Sequence, residues 1–263
     1  MKKTLNRIYL VLIIIFLYAP ILTLMVLSFN NGRSMGKWTG FSLHWYAEMF
    51  EDENIMDALR NTLIIALIAS VVSTIIGTAA TVAIQRMKPR TRNILLGANN
   101  IPLLNADIVT GISLMLMFVA FGITLSMGTV ILAHITFCIP YVILSVLPRA
   151  REIGSNSYEA ALDLGATPMY AFFKVTLPEL KPGIISGFLL AFTMSVDDFI
   201  VTHFTRGAGV NTLSTMIYGS VKIGIRPTIY ALSTIVFLTV LVLLIVANVI
   251  PARAEKRRKE KDA

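Results

Sequence analysis

The sequence predicts an all-α membrane protein, a single domain over residues 1–263 built from six transmembrane helices, and three observations carry that prediction. Apolar residues make up 56% of the chain and charged residues 14%, with a mean hydropathy of +0.74, whereas a soluble domain carries roughly 45–50% and about 25%. The apolar residues also fall in runs close to the roughly 20 residues that cross a bilayer core. Finally, Lys and Arg collect in alternate loops, the pattern of a polytopic chain whose cytoplasmic loops retain positive charge.

The six apolar segments cover 8–29, 62–84, 97–122, 127–147, 183–203 and 229–250. The first follows Lys2, Lys3 and Arg7, as a secretory signal would. Its apolar core of about 20 residues exceeds the roughly 7–15 of a signal, and no small-x-small cleavage site closes it, so it reads as a retained helix. The third and fifth segments are interrupted by Asp107 and by Asp197–Asp198. The sixth is the most uniformly apolar, running through Ile235, Val236, Phe237, Leu241, Leu243 and Val246. Cys138 is the one cysteine, so no intrachain disulfide forms.

Six spans put Lys2, Lys3 and Arg7 on the same side as Arg86, Lys88, Arg90 and Arg92. Arg149, Arg151, Lys174 and Lys181 join them, as does the tail 252–263 with Arg253, Lys256, Arg257, Arg258, Lys259 and Lys261. Opposite them lie Arg33, Lys37, Arg60, Arg206, Lys222 and Arg226, spread over longer loops. Both termini are therefore expected in the cytoplasm. This distribution accounts for the net charge of +8 as a topology signal with attraction to anionic lipid, and no nucleic-acid partner is expected.

The outer loop over about 30–61 gathers Glu48, Glu51, Asp52, Glu53 and Asp57 beside Trp38, Phe41, Trp45, Tyr46 and Phe50. Ser42 is placed to cap a short interfacial helix running through Phe50. Trp45 and Tyr46 suit three roles: anchoring at the interface, offering π faces to a protonated amine on a substrate path, or meeting a soluble protein. His44, His134 and His203 lie on separate segments and read as packed or interfacial rather than as a metal or catalytic set.

The most structured connection is Arg149–Pro182. Asn156 and Glu159 fit a capping box, followed by a short helix through Ala160, Ala161, Leu162 and Leu164 that Gly165 ends in a left-handed turn. Thr167 caps a second helix with Pro168 at its first position. That helix offers Met169, Phe172, Phe173 and Thr176, and Leu177–Pro178 is expected to end it.

Those residues carry a resemblance. Glu159-Ala160-Ala161, Gly165 six positions after the Glu, and Val175-x-Leu177-Pro178 resemble the EAA loop of ATP-binding-cassette importer permeases. Over nearly the whole chain, Tyr18-Ala19-Pro20-Ile21, Ser28-Phe29-Asn30, His44-Trp45-Tyr46, Asp107-Ile108-Val109, His134-Ile135-Thr136-Phe137-Cys138-x-Pro140 and Asp197-Asp198 resemble the spermidine/putrescine permeases, in particular the shorter, C-type one. The resemblance implies an inner-membrane permease in which Glu159, Ala160, Ala161, Leu164 and Gly165 couple to an ATPase. It further implies a second homologous permease, two ATPase subunits that carry ATP and Mg, and a periplasmic polyamine-binding protein. No cofactor is expected on this chain, and no enzymatic activity.

Absent motifs agree with that division of labour. The chain has no G-x-x-x-x-G-K-[ST] phosphate loop. The nearest run, Gly32-Arg33-Ser34-Met35-Gly36-Lys37, is one residue short and continues into Trp38. No HExxH or nucleophile elbow is present either. The residues a bilayer most disfavours are Asp107, Asp197 and Asp198, and such groups face a bundle interior or aqueous cavity. Adjacent helical residues point about 100° apart, so Asp197 and Asp198 are expected to face different surroundings. Three acids and no Lys or Arg within the spans suit a cationic solute. The rival readings are a permease for another solute and, from a different class, a secondary cation transporter or channel using the acids as a relay.

A reporter fused after Lys261 or within Arg149–Pro182 is predicted to be cytoplasmic, and one near Glu51 or Gly209 external. An external signal from the Arg149–Pro182 loop would remove the basis for coupling there.

Overall fold

The computed structural model describes residues 2–33, 37–153, 156–224 and 226–259. Ser34, Met35 and Gly36 of the phosphate-loop-like run, and Lys261 in the tail, lie outside the described residues. Twelve α-helices follow one another in the described chain, with one π-helical turn. They are α1 (Lys2–Leu27), α2 (His44–Glu51), α3 (Glu53–Gln85), α4 (Pro89–Leu104), α5 (Asp107–Ala120), α6 (Met127–Ile153), α7 (Asn156–Asp163), α8 (Pro168–Ala171), α9 (Leu177–Asp197), α10 (Ile200–Thr205), α11 (Leu213–Ile223) and α12 (Pro227–Lys259).

Among the described residues, four stretches are long and apolar enough to cross a membrane: Tyr9–Leu27, Glu53–Gln85, Met127–Ile153 and Pro168–Asp197. A fifth is made by α4 and α5 taken together, which meet at 103°. The sixth apolar segment lies in α12, which continues without a break into the basic tail as far as Lys259.

Two expected spans are corrected. The segment 97–122 is not one straight helix, because Asn105 (ψ 149°) and Ala106 (ψ 137°) are extended. Pro102 lacks an amide in the last turn of α4, and Asn and Asp on either side of the break favour helix ends over interiors. The fifth segment begins far before residue 183, since Leu177–Pro178 does not end the loop helix. The chain passes from α8 through a π turn, Phe172–Thr176, directly into α9. The Leu177 amide reaches back to the Phe172 carbonyl. This wider ring takes up an extra residue and lets the chain absorb Pro178 without breaking.

The chain divides into two compact units: Met1–Asp57 with Met216–Val240, and Ala58–Thr215 with Leu241–Ala263. In the first, the loop after α1 is tied to α2 through Asn30, which is 2% exposed. Its amide side chain donates to the Lys37 carbonyl (2.9 Å) and accepts from the Thr39 amide (2.8 Å). Its own carbonyl accepts from Trp45 Nε1 at 2.7 Å. Ser42 lies one residue outside the capping position, its hydroxyl accepting from the His44 amide at 3.1 Å.

The second unit is organised around α6. Small residues let its neighbours approach, as close packing between membrane helices requires. A β-carbon at Gly77 of α3 would lie 2.7 Å from Val142 Cγ1, and one at Gly187 of α9 would lie 3.3 Å from the same atom. Val142, Val146, Cys138, Leu180 and Ala191 form the buried core between α6 and α9. A second core joins Leu114 and Phe118 of α5, Ala133 of α6 and Val201 of α10. There α5 and α10 touch at Gly111, where a β-carbon would lie 3.3 Å from the Val201 backbone.

Gly77→Ala is predicted to lower the Tm of the purified protein in detergent by several degrees, since crowding a stiff β-branched neighbour costs roughly 1–3 kcal/mol. Gly219→Ala, where nothing lies within 4 Å, should leave Tm unchanged or raise it. Equal effects of the two substitutions would contradict the close α3–α6 contact.

Candidate functional site

Both breaks in the apolar helices open onto one cavity of about 360 Å³ in the second unit, and Asp107, Asp197 and Asp198 all line it. Irregular backbone at membrane depth persists only where protein buries it or a cavity hydrates it. Asp107 sits in the first turn of α5, where the amides released at the bend favour a negative charge. Asp197 ends α9 and is exposed, whereas Asp198 has left the helix with ψ 126°.

That change of backbone gives the adjacent acids different partners. The Asp198 carboxylate accepts from the Val201 amide (3.2 Å), the Thr202 amide (2.7 Å) and the Thr202 hydroxyl (2.9 Å). It thus satisfies the first amides of α10, the function of a helix cap. Its carbonyl accepts from Ser214 Oγ at 2.6 Å. Beside it lies His134 of α6, 1% exposed, with Nε2 3.4 Å from Asp198 Oδ2.

Among the described residues, no Lys or Arg lines the cavity. Phe137, Tyr141 and Phe199 supply aromatic surface, and Thr110 and Thr193 supply hydroxyls. A cation entering it would meet carboxylates and π faces together. Sequence reasoning missed these aromatics. The available signals were the one-turn spacing of Phe137 and Tyr141 on α6, and Phe199 following the acid pair.

Trp45 and Tyr46 do not line this cavity. Trp45 is 4% exposed with its indole N–H given to Asn30. Tyr46 pairs its hydroxyl with Ser28 at 2.7 Å and rests against Phe29 with ring centroids 5.3 Å apart. Both fasten α2 to the loop after α1.

The Arg149–Pro182 loop forms a second feature of the same unit. Helix α7 begins at Asn156, whose side chain lies outside the described residues, so the Asn156–Glu159 capping box is not described. The C-terminal turn is fully formed. Gly165 has φ +90°, its amide bonds to the Leu162 carbonyl at 2.9 Å, and the Ala166 amide bonds to that of Ala161 at 3.0 Å. This is the Schellman arrangement. Thr167 then caps α8, accepting from the Tyr170 amide at 3.4 Å, with Pro168 at the start of the helix. Glu159 and Ala160 are exposed, Ala161 is half-buried, and Leu164 is 90% exposed beside Met169, Tyr170 and Phe173. Arg86, just past α3, stacks its guanidinium 4.3 Å from the Tyr158 ring centroid. Glu159 and Thr176 share a cleft of about 310 Å³ with that pair.

Several apolar helices of membrane-spanning length, two of them broken around an acid-lined cavity, and a folded loop presenting apolar residues together define a membrane transport subunit. Residues 73–260 match the family described as binding-protein-dependent transport system inner membrane component, and the chain belongs to that family. It is a permease subunit of an ATP-binding-cassette importer. It is 41% identical over 250 residues to the putrescine transport system permease protein PotI of Escherichia coli K12, covering 92% of this chain and 89% of that one. To the spermidine/putrescine transport system permease protein PotC of Haemophilus influenzae it is 36% identical over 235 residues, covering 89% and 91%. In fold it is similar to a chain of a bacterial alginate ABC transporter (TM-score 0.72, 18% identity, 96% and 94% covered). It also resembles a chain of the MetNI methionine ABC transporter (TM-score 0.62, 19% identity, 77% and 98% covered).

Gly165→Val leaves ample room, since nothing lies within 4 Å of the new β-carbon. It forces a β-branched residue to positive φ, a strain of about 1–3 kcal/mol. The chain is predicted to insert normally but to lose ATPase association or the coupling of hydrolysis to uptake, read by copurification and transport. Normal values for both would remove the loop from coupling.

Proposed function

We propose that this chain and a second homologous permease form the path by which spermidine or putrescine crosses the inner membrane. Two ATPase subunits carrying ATP and Mg drive it, and a periplasmic polyamine-binding protein delivers the solute. Both termini face the cytoplasm in this reading, which puts α7, Gly165 and the exposed residues Leu164, Met169, Tyr170 and Phe173 on the ATPase side. ATP binding closes the ATPase pair, the loop moves with it, and the permeases open outward; hydrolysis reverses the change. Cargo is a polyamine on one observation above all: three carboxylates, brought in by two helix breaks, line one cavity with no Lys or Arg among the described residues of its lining. The putrescine and spermidine/putrescine permeases to which the chain is similar support the same solute class.

Within the cavity the acids divide their work. Asp107 and Asp197 are exposed and receive the ammonium groups. Asp198 shapes the wall from its capped position. Trp45 and Tyr46 serve the path indirectly, by holding the outer loop.

Asp107→Asn and Asp197→Asn are each predicted to reduce polyamine uptake by about tenfold without loss of assembly. A carboxylate–ammonium contact at an effective dielectric of about 20 is worth a few kcal/mol before desolvation is subtracted. Asp198→Asn should lower both uptake and thermal stability, because an amide nitrogen cannot accept from the Thr202 or Val201 amides. Uptake is measured in proteoliposomes alongside ATPase activity. Should all three Asn variants transport at the parent rate, the cationic path fails while the importer assignment stands.

A further inference from the structure

We propose that His134 is a positioning residue for solute recognition: its imidazole pins together the two helix segments on either side of the α9–α10 break and so fixes where the Asp198 carboxylate lies in the cavity wall. The proposal rests on the polyamine-path reading and adds a residue that does not itself line the cavity.

His134 is buried on α6, yet its partners lie on both sides of the break. Nδ1 is 2.6 Å from Ser195 Oγ in the last turn of α9, and Nε2 is 2.9 Å from Thr202 Oγ1 in α10. The Thr202 hydroxyl has one hydrogen, and it is given to Asp198 Oδ2 at 2.9 Å. The hydroxyl oxygen therefore accepts from His134, and Nε2 carries a proton. A directed chain results: His134 Nε2–H to Thr202, Thr202 O–H to Asp198. With the Thr202 amide also bound to Oδ2 and the Val201 amide to Oδ1, both carboxylate oxygens are held, and His134 Nε2 itself lies 3.4 Å from Oδ2. The ring of His134 further meets Phe137, a cavity residue, edge-on at 5.1 Å, so the imidazole supports two parts of the wall.

Asp198 lies outside regular helix, so its position depends on these bonds rather than on helix geometry. Without the Nε2 donor, the Thr202 hydroxyl is no longer oriented, and the carboxylate loses one of its fixed contacts. Affinity for a cation should then fall while the path and its ATPase coupling stay intact.

The experiment uses the assembled complex in proteoliposomes with putrescine as the solute. His134→Gln places an amide donor near the Nε2 position, whereas His134→Asn keeps only a group near Nδ1. His134→Asn and Thr202→Val are each expected to raise the KM for uptake by about tenfold, the size of one lost hydrogen bond to a charged group. Maximal ATPase activity should be retained. His134→Gln and Thr202→Ser should stay within about twofold of the parent, because each restores a donor at the position that was lost. The double variant His134→Asn/Thr202→Val should be no worse than either single one, because both break the same chain.

A packing role alone would make Gln and Asn equally harmful and lower assembly in both. Either that outcome or an unchanged KM in His134→Asn overturns the proposal. Where Asp107→Asn and Asp197→Asn impair uptake and His134→Asn does not, the positioning role fails and the cationic path stands. Where none of the acids matters, the path reading itself has failed.

Discussion

A peptide group at depth in a bilayer has no water to bond, and this protein interrupts its apolar helices twice. Everything around the cavity follows from how the released amides and carbonyls find partners. At the second interruption the solution is a single carboxylate, Asp198, which caps α10 while Ser214 binds its carbonyl. At the first, the Ala106 carbonyl takes the Val109 and Thr110 amides, and Asp107 in the first turn of α5 lines the cavity. The same need that disfavours broken helices in a bilayer thus concentrates negative charge at one place.

Packing then holds the breaks in register with one another. Helix α6 is the common wall: it meets α3 and α9 through Gly77 and Gly187 near Val142, and it supplies both His134 and the cavity aromatics Phe137 and Tyr141. Helix α5 lies against α10 at Gly111, so the segments bearing Asp107 and Asp198 are in direct contact. Small residues at these crossings matter because, between helices in lipid, close approach rather than apolar burial provides the attraction.

Much of this was legible in the residues, and the parts that were not share a cause. Span composition, the Gly165 turn and the Thr167–Pro168 cap follow from rules that act within a few residues, and the structure shows those elements. The bend at Asn105–Ala106 and the smooth passage over Pro178 depend on whether a local breaker is absorbed or obeyed. At Pro178 a π turn absorbs it; at Asn105 the chain yields. Different surroundings for Asp197 and Asp198 were expected from helical spacing, but they arise because Asp198 leaves the helix, and the agent that holds it was not readable, since His134 stands 61 residues before Ser195 and 68 before Thr202. The three roles that Trp45 suited could not be separated in the sequence, which gives no sign of the Asn30 carbonyl that accepts its N–H.

The π turn at Phe172–Thr176 gives the loop an angular property of its own. It accommodates one residue more than a regular α-helix would over the same rise, and each residue corresponds to about 100° of rotation. Losing that extra residue to ordinary helix would swing α8, the Gly165 turn and α7 around the α9 axis by roughly that angle while leaving α9 in place. The joint therefore works as an indexing gear. It sets the heading of the exposed Leu164 and its neighbours independently of the span, and one inserted or deleted residue there would retarget the loop without unseating the bundle.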